Sequence, residues 1–210
     1  MAEKYLSVHG ETLTEKIIEK SRFITVSRHV RGEEEAKAFI SEIAKRRADA
    51  THNCYAYICD SLGNNLRFSD DGEPQGTAGM PMLEVLKNNC LCETAVVVTR
   101  YFGGIKLGAG GLLRAYSGCV AENIAAARKV EYEMCAESVY EVDYSDNSAA
   151  CNFFAGNDCT VISTDYADRV IFCVAVRAAN EKDFNAALND HMCGRVKIKK
   201  IKEYFFPFPL

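Results

Sequence analysis

Residues 100–116 read RYFGGIKLGAGGLLRAY, and this stretch joins an apolar, strand-like run to a long amphipathic helix. Gly103, Gly104, Gly108, Gly110 and Gly111 crowd the turn between them. Glycines at that density imply positive φ angles or close approach of another backbone. Arg100, Lys106 and Arg114 lie in the same stretch, so the turn offers free N–H groups and positive charge together, the ingredients of an anion site. A sharp turn whose glycines only let helix and sheet pack closely explains the same residues, and both readings stay open.

Working outward, Thr94 to Phe102 is a buried strand, and Gly110 to Lys129 a helix with Leu112, Leu113, Tyr116, Val120 and Ile124 on one face. Upstream, Asn53 to Cys59 and Asn65 to Ser69 form a hairpin around Ser61-Leu62-Gly63-Asn64. A polar loop from Asp70 to Gly76 leads into a short helix ending near Asn88, with Thr77 as its expected N-cap and Pro81 in its first turn. Nearer the start, strands at Thr12–Ile18 and Phe23–His29 precede a helix that opens on Glu33-Glu34-Glu35 and closes on Lys45-Arg46-Arg47. Its Ala36, Phe39, Ile40, Ile43 and Ala44 share one face.

After Lys129 the pattern changes. Glu133–Tyr144, Thr160–Ser163, Arg169–Ala178 and Arg195–Phe205 read as strands, and Ser145–Gly156 and Glu181–Met192 as helices. The order β-α-β-β-α-β is the ferredoxin-like split motif. The expected architecture is therefore α+β with two domains, residues 1–132 and 133–210.

Composition narrows the function. The 210 residues are 48% hydrophobic and 26% charged, as in a soluble globular protein. No apolar run approaches the length of a membrane span, and Glu3, Lys4 and Glu11 interrupt any signal-peptide layout. A cytoplasmic protein without membrane contact is expected. The net charge of −4 argues against nucleic-acid binding through bulk charge, though a local basic face is compatible with it. Arg195, Lys197 and Lys199, with Lys200 and Lys202 beyond them, make a candidate basic strand. A solvated edge strand guarded by lysines is the preferred reading. The ten cysteines contain no C-x-x-C pair, and no histidine sits at zinc-finger spacing from Cys90 and Cys92, which would share a face if strand-borne. Structural thiols in a reducing compartment are expected, with neither metal nor cofactor.

Several segments together resemble the IMPACT family: Lys20-Ser21-Arg22-Phe23-Ile24, His52-Asn53-Cys54-Tyr55-Ala56-Tyr57, Asp71-Gly72-Glu73-Pro74-Gln75-Gly76-Thr77-Ala78-Gly79 with Pro81, and Arg100 to Tyr116. They span most of residues 18–130 in family order. The resemblance implies an N-terminal domain of the ribosomal-protein/GHMP-kinase-like βαβ superfold, shared with domain four of elongation factor G. It also implies a C-terminal domain similar to domain five of that factor. For eukaryotic relatives it implies translational control through a protein partner.

Three functions follow as expectations. The first is RNA or ribosome binding in translation regulation, carried by Arg22, Arg100, Tyr101, Lys106 and Arg114. The second is docking of a protein of the translation machinery on the glycine-rich surface. The third is a small-ligand or enzymatic site. There two helix N-termini would converge on a phosphate, Asp70, Asp71 and Glu73 would supply acid–base or Mg²⁺ chemistry, and His52 and Cys54 a base and a nucleophile. A binding role is favoured over catalysis. The expected site is the groove between the two glycine-rich loops, with Arg22, His52, Asp71, Glu73, Thr77, Gly79, Arg100, Gly103, Gly104, Lys106 and Arg114. The ligand and the oligomeric state are not legible.

Overall fold

A computed structural model describes residues 4–210; Glu3, invoked above, lies outside them. The fold is α+β, and the chain divides into two compact units, one reaching Glu131 and including Pro209 and Leu210, the other Tyr132–Phe208.

The first unit is built on β6 (Thr94–Tyr101), whose apolar run is buried on both faces. β3 (Ser21–His29) and β4 (His52–Ile58) flank it antiparallel, and β2 (Glu11–Ile18) and β5 (Leu66–Ser69) form the edges. Alternation along β6 sorts the core into two halves. Ala95 and Val97 meet Ala36, Phe39 and Ile43 of α1 (Gly32–Arg46). Val96 and Val98 meet Met82, Leu83 and Leu86 of α2 (Gly79–Asn88) and Leu112, Tyr116 and Val120 of α3 (Gly108–Ala126). By the same parity Arg100 and its cross-strand neighbours Phe23 and His52 lie at one end of the α2/α3 face.

Several expectations are corrected. Thr77 is not the N-cap of α2: Ala78 holds that position, and the Thr77 hydroxyl donates to the Pro74 carbonyl at 2.6 Å. α3 starts at Gly108 and ends at Ala126, earlier at both ends than its periodicity indicates. Cys90 sits at φ +53° just past α2, so Cys90 and Cys92 do not share a strand. A further strand, β1 (Lys4–Val8), escapes the pattern because its polar Ser7 points inward, where its hydroxyl meets Thr94 Oγ1 at 3.0 Å.

In the second unit β7 (Lys129–Val142), α4 (Asn147–Ala155), β8 (Cys159–Tyr166), β9 (Val170–Arg177), α5 (Glu181–His191) and β10 (Lys197–Pro209) follow in β-α-β-β-α-β order. The sheet of this unit runs β10-β7-β9-β8, the ferredoxin-like arrangement. Tyr140, Phe154, Phe172, Phe184 and Leu188 fill its core.

The β2–β3 connection sets up the site. Glu19 and Lys20 both have positive φ (46° and 63°), the mark of a two-residue hairpin turn of the primed type, without the usual Asn-Gly. Gly103 packs on this turn so closely that a Cβ there would overlap the Lys20 carbonyl, while Gly104 has φ +86° and open space around it. Gly103→Ala is therefore expected to cost about 3 kcal/mol or more by forcing two backbones apart. Gly104→Ala should cost about 1 kcal/mol, the conformational penalty alone. Urea unfolding of the two variants checks the ranking; equal losses would contradict it.

Candidate functional site

The glycine-rich stretch reaches its place because β6 delivers Arg100 into the α2/α3 face of the sheet. There the residue is 5% exposed. Its Nη1 donates to Glu73 Oε1 at 2.6 Å and its Nη2 to the Ser21 hydroxyl at 3.2 Å. The rings of Phe23 and Phe102 each lie 5.4 Å from its central carbon. Glu73 Oε1 accepts a second bond from the Tyr116 hydroxyl at 2.8 Å, and Glu73 Oε2 lies 4.0 Å from His52 Nε2. One buried ion pair thus joins the 70–79 loop, α3, the hairpin turn and the Phe102 loop.

The neighbouring residues brace this pair. His52 Nδ1 lies 2.7 Å from the Asp71 carbonyl, which requires Nδ1 to carry the proton and leaves Nε2 toward Glu73. Asp71 Oδ2 accepts the Asn53 amide at 2.6 Å. Gly79 is required because a Cβ would come within 2.8 Å of the Ser69 backbone. Asp70 takes the Ala78 and Gly79 amides on Oδ1 (3.0 and 2.8 Å) and the Gly76 amide on Oδ2 (2.8 Å). Burial pushes its carboxyl upward, but the three N–H groups outweigh that and hold it below the usual carboxylate range. The N-terminus of α2 is therefore already occupied, so the two helix N-termini do not converge on one phosphate.

The nucleophile expectation also fails. Cys54 is fully buried, its thiol donates to the Asp70 carbonyl at 3.0 Å, and burial pushes it up to about 12. A thiol so held carries negligible thiolate near neutral pH. Burial, with Cys54 and Glu73 beside it, likewise raises the Tyr116 hydroxyl. Among the described residues no cluster of His, Cys, Asp or Glu has a metal-binding arrangement.

Beside the ion pair opens a groove of about 320 Å³ lined by Glu73, Pro74, Arg100, Phe102, Lys106, Leu107, Gly108, Ala109 and Leu112. It lies between the two glycine-rich loops and brings Glu73, Arg100 and Lys106 together. Arg114 lines an adjacent groove of about 430 Å³ that shares Lys106 and Leu107 with the first. Arg22 is elsewhere. It is on the opposite sheet face, bonded to Glu15 at 2.7 and 2.8 Å and above the Tyr101 ring. In the second unit Arg195 precedes the strand and is held by Asp146 at 3.0 and 3.1 Å. Lys200 pairs with Glu181 and Lys202 with Glu137. Lys197 and Lys199 are exposed. The contributions missed in the sequence were those of Ser21, Asp70 as a distant cap, and the Tyr116 hydroxyl. The juxtaposition of Tyr116 with Glu73 depends on sheet order.

Glu73→Gln leaves Arg100 buried without its counter-charge and is expected to destabilise the fold by about 3–5 kcal/mol. The double variant Glu73→Leu/Arg100→Met should recover most of that loss, which a double-mutant cycle in denaturant measures. Because the Asp70 carboxyl is lower folded than its unfolded value of about 3.9, its contribution is complete above that pH. It is lost as pH falls through the folded value. Asp70→Asn should flatten this part of the acid limb of a stability–pH profile; an unchanged limb would remove Asp70 from the account.

No helix among the described residues is long and apolar enough to cross a membrane. Residues 19–124 match the Impact N-terminal domain and residues 141–195 a domain of unknown function. The chain is 39% identical over 200 residues to the IMPACT family member YvyE of Bacillus subtilis, covering 95% of this chain and 92% of the relative. It is 37% identical to the IMPACT family member YigZ of Escherichia coli over 188 residues, covering 89% and 92%. The Protein IMPACT homolog of Dictyostelium discoideum is 37% identical over 103 residues, only 28% of that longer protein. A crystal structure described as that of a hypothetical protein superposes with a TM-score of 0.62 at 34% identity, covering 96% of this chain and 99% of the other. With its residues 19–124 matching the Impact N-terminal domain and relatives matched over nearly their whole length, the chain belongs to the IMPACT family.

Proposed function

We propose that this protein is a translation-associated regulator that binds RNA or the ribosome through the surface around the start of α3. The observation that carries the reading is a set of groups without an internal role. Lys106 and Arg114 are exposed and make no ion pair among the described residues, although most arginines of the first unit do. Phe102 beside them is 46% exposed. Unpaired cations next to an exposed ring suit phosphate contact with base stacking, the mode by which single-stranded RNA is held. The family's link to translational control points the same way. The cations are local, since residues 1–132 carry about 17 basic and 17 acidic side chains, so this surface rather than bulk charge would steer binding.

Protein docking has its own observation. Met80 and Leu113 are exposed on either side of an apolar groove between α2 and α3, about 320 Å³ in volume and lined also by Pro81 and Val85. A protein partner captured from extract and surviving nuclease treatment would favour this surface.

Binding of purified protein to structured RNA and to ribosomes across a salt series separates the two. Affinity for RNA should fall steeply with salt, and Lys106→Ala and Arg114→Ala should each lower the salt slope by about 1. Arg100→Ala is unsuitable as the probe, because Arg100 is part of the folded core. No binding to either at low salt would overturn the RNA reading.

A further inference from the structure

We infer that β2 is a docking edge for a second copy of this chain, the two β2 strands pairing antiparallel about a two-fold axis through Glu15.

An edge strand presents unpaired backbone N–H and C=O groups, and folded proteins ordinarily blunt such edges by shortness, a bulge or a row of lysines. β5 has four residues, β8 carries a bulge between Val161 and Ser163, and β10 bears Lys197, Lys199, Lys200 and Lys202. β2 has none of these devices. It is eight residues long, keeps an unbroken register with β3 and contains no proline. Its one lysine, Lys16, is tied to Glu122 of α3 at 2.6 Å. Leu13 and Ile17 are 56% and 70% exposed, and no strand pairs with the outer side of β2 among the described residues.

Backbone geometry fixes which groups look outward. The two-residue turn at Glu19 and Lys20 closes on Ile18 and Ser21, which face each other in the β2–β3 register. The pair flanking such a turn is hydrogen-bonded, and bonded and non-bonded pairs then alternate along the ladder. Ile18, Lys16, Thr14 and Thr12 therefore turn their N–H and C=O groups toward β3. Those of Ile17, Glu15, Leu13 and Glu11 point away from the sheet, where another strand can take them up.

The side chains choose the partner. Leu13, Glu15 and Ile17 share one face, and the order aliphatic, acid, aliphatic reads the same in both directions. With the axis through Glu15, Leu13 of each copy lies opposite Ile17 of the other. The outward groups of Leu13, Glu15 and Ile17 then exchange about six hydrogen bonds. Shifted registers lose this match. An axis through Thr14 sets Leu13 against Glu15, and one through Lys16 sets the two lysines against each other. An axis through Leu13 sets Glu11 against Glu15 twice. On the Glu15 axis the two carboxylates also meet, but each is already gripped by Arg22, through Nε at 2.7 Å and Nη2 at 2.8 Å. Each acid therefore arrives with its counter-charge, which gives Arg22 a role away from the groove. A strand pair of this length spans about 27 Å, a contact at the small end of protein interfaces, so a reversible dimer is expected at micromolar concentrations.

Sedimentation velocity of the full chain across about 1 to 300 μM, with backbone hydrogen exchange at both ends of that range, tests the pairing. Wild type should shift reversibly from monomer to dimer. The amides of Leu13, Glu15 and Ile17 should slow about fivefold at high concentration, while those of Thr12, Thr14 and Lys16 are slow throughout. Leu13→Lys and Ile17→Glu, both at exposed positions, should each weaken the dimer about tenfold or more. Mixed one to one, the two variants should recover it, because the register sets each altered residue opposite the other. Recovery in the mixture is a signature that a folding defect cannot produce. A wild type that stays monomeric, or a dimer indifferent to both substitutions, overturns the proposal. A mixture that stays monomeric while wild type dimerises overturns the Glu15 register.

Discussion

A single buried ion pair organises the first unit. Arg100 and Glu73 are withdrawn from water at considerable desolvation cost, and that cost is offset only because every neighbour contributes. The Tyr116 hydroxyl donates to Glu73 and the Ser21 hydroxyl accepts from Arg100, while the Phe23 and Phe102 rings flank the guanidinium. These groups come from β3, the 70–79 loop, β6 with the Phe102 loop after it, and α3. Displacing any one therefore exposes a charge to an environment that cannot solvate it, and the loops are fixed relative to the sheet by that penalty.

Backbone conformations around the pair follow from the same constraint. Glu19, Lys20 and Asp71 all adopt positive φ, an unfavourable choice for residues with side chains. The Glu19-Lys20 turn is held by Gly103, whose amide donates to Ser21 Oγ at 3.2 Å and whose bare Cα sits on the Lys20 carbonyl. Asp71 is held by the His52 ring on its carbonyl and the Asn53 amide on its carboxylate. Dense packing around the pair enforces these three conformations.

The two glycine-rich loops, alike in composition, have opposite fates. The loop ending at Gly79 is closed on itself, with Asp70 filling the start of α2. The loop ending at Gly108 leads into an uncapped helix, with Lys106 and Arg114 free of acidic partners among the described residues. What distinguishes them is one acidic residue several positions upstream in the first case and none in the second.

Much of this protein follows from its amino-acid order alone. Period-two and period-3.6 hydrophobic patterns are local consequences of burial. They locate the helix at Ala36–Ile43, the central run Thr94–Thr99 and the β-α-β-β-α-β order after Lys129, and the clustered motifs identify the family. Strand β1 and the true start of α3 escape because an inward serine and a glycine run break the pattern. Site roles depend on separations in space that no local pattern encodes. His52 and Arg100 become neighbours only through the β4–β6 register, and Glu73 reaches them only when its loop folds over the sheet. Arg22 and Arg100 look equivalent in the sequence, yet strand parity sends them to opposite faces. Asp70, which reads as a catalytic acid or metal ligand, becomes a helix cap because the chain turns back on it. Tertiary structure alone decided which charges are buried in the fold and which stay exposed to solvent, since desolvation and hydrogen-bond satisfaction depend on neighbours brought from distant parts of the chain.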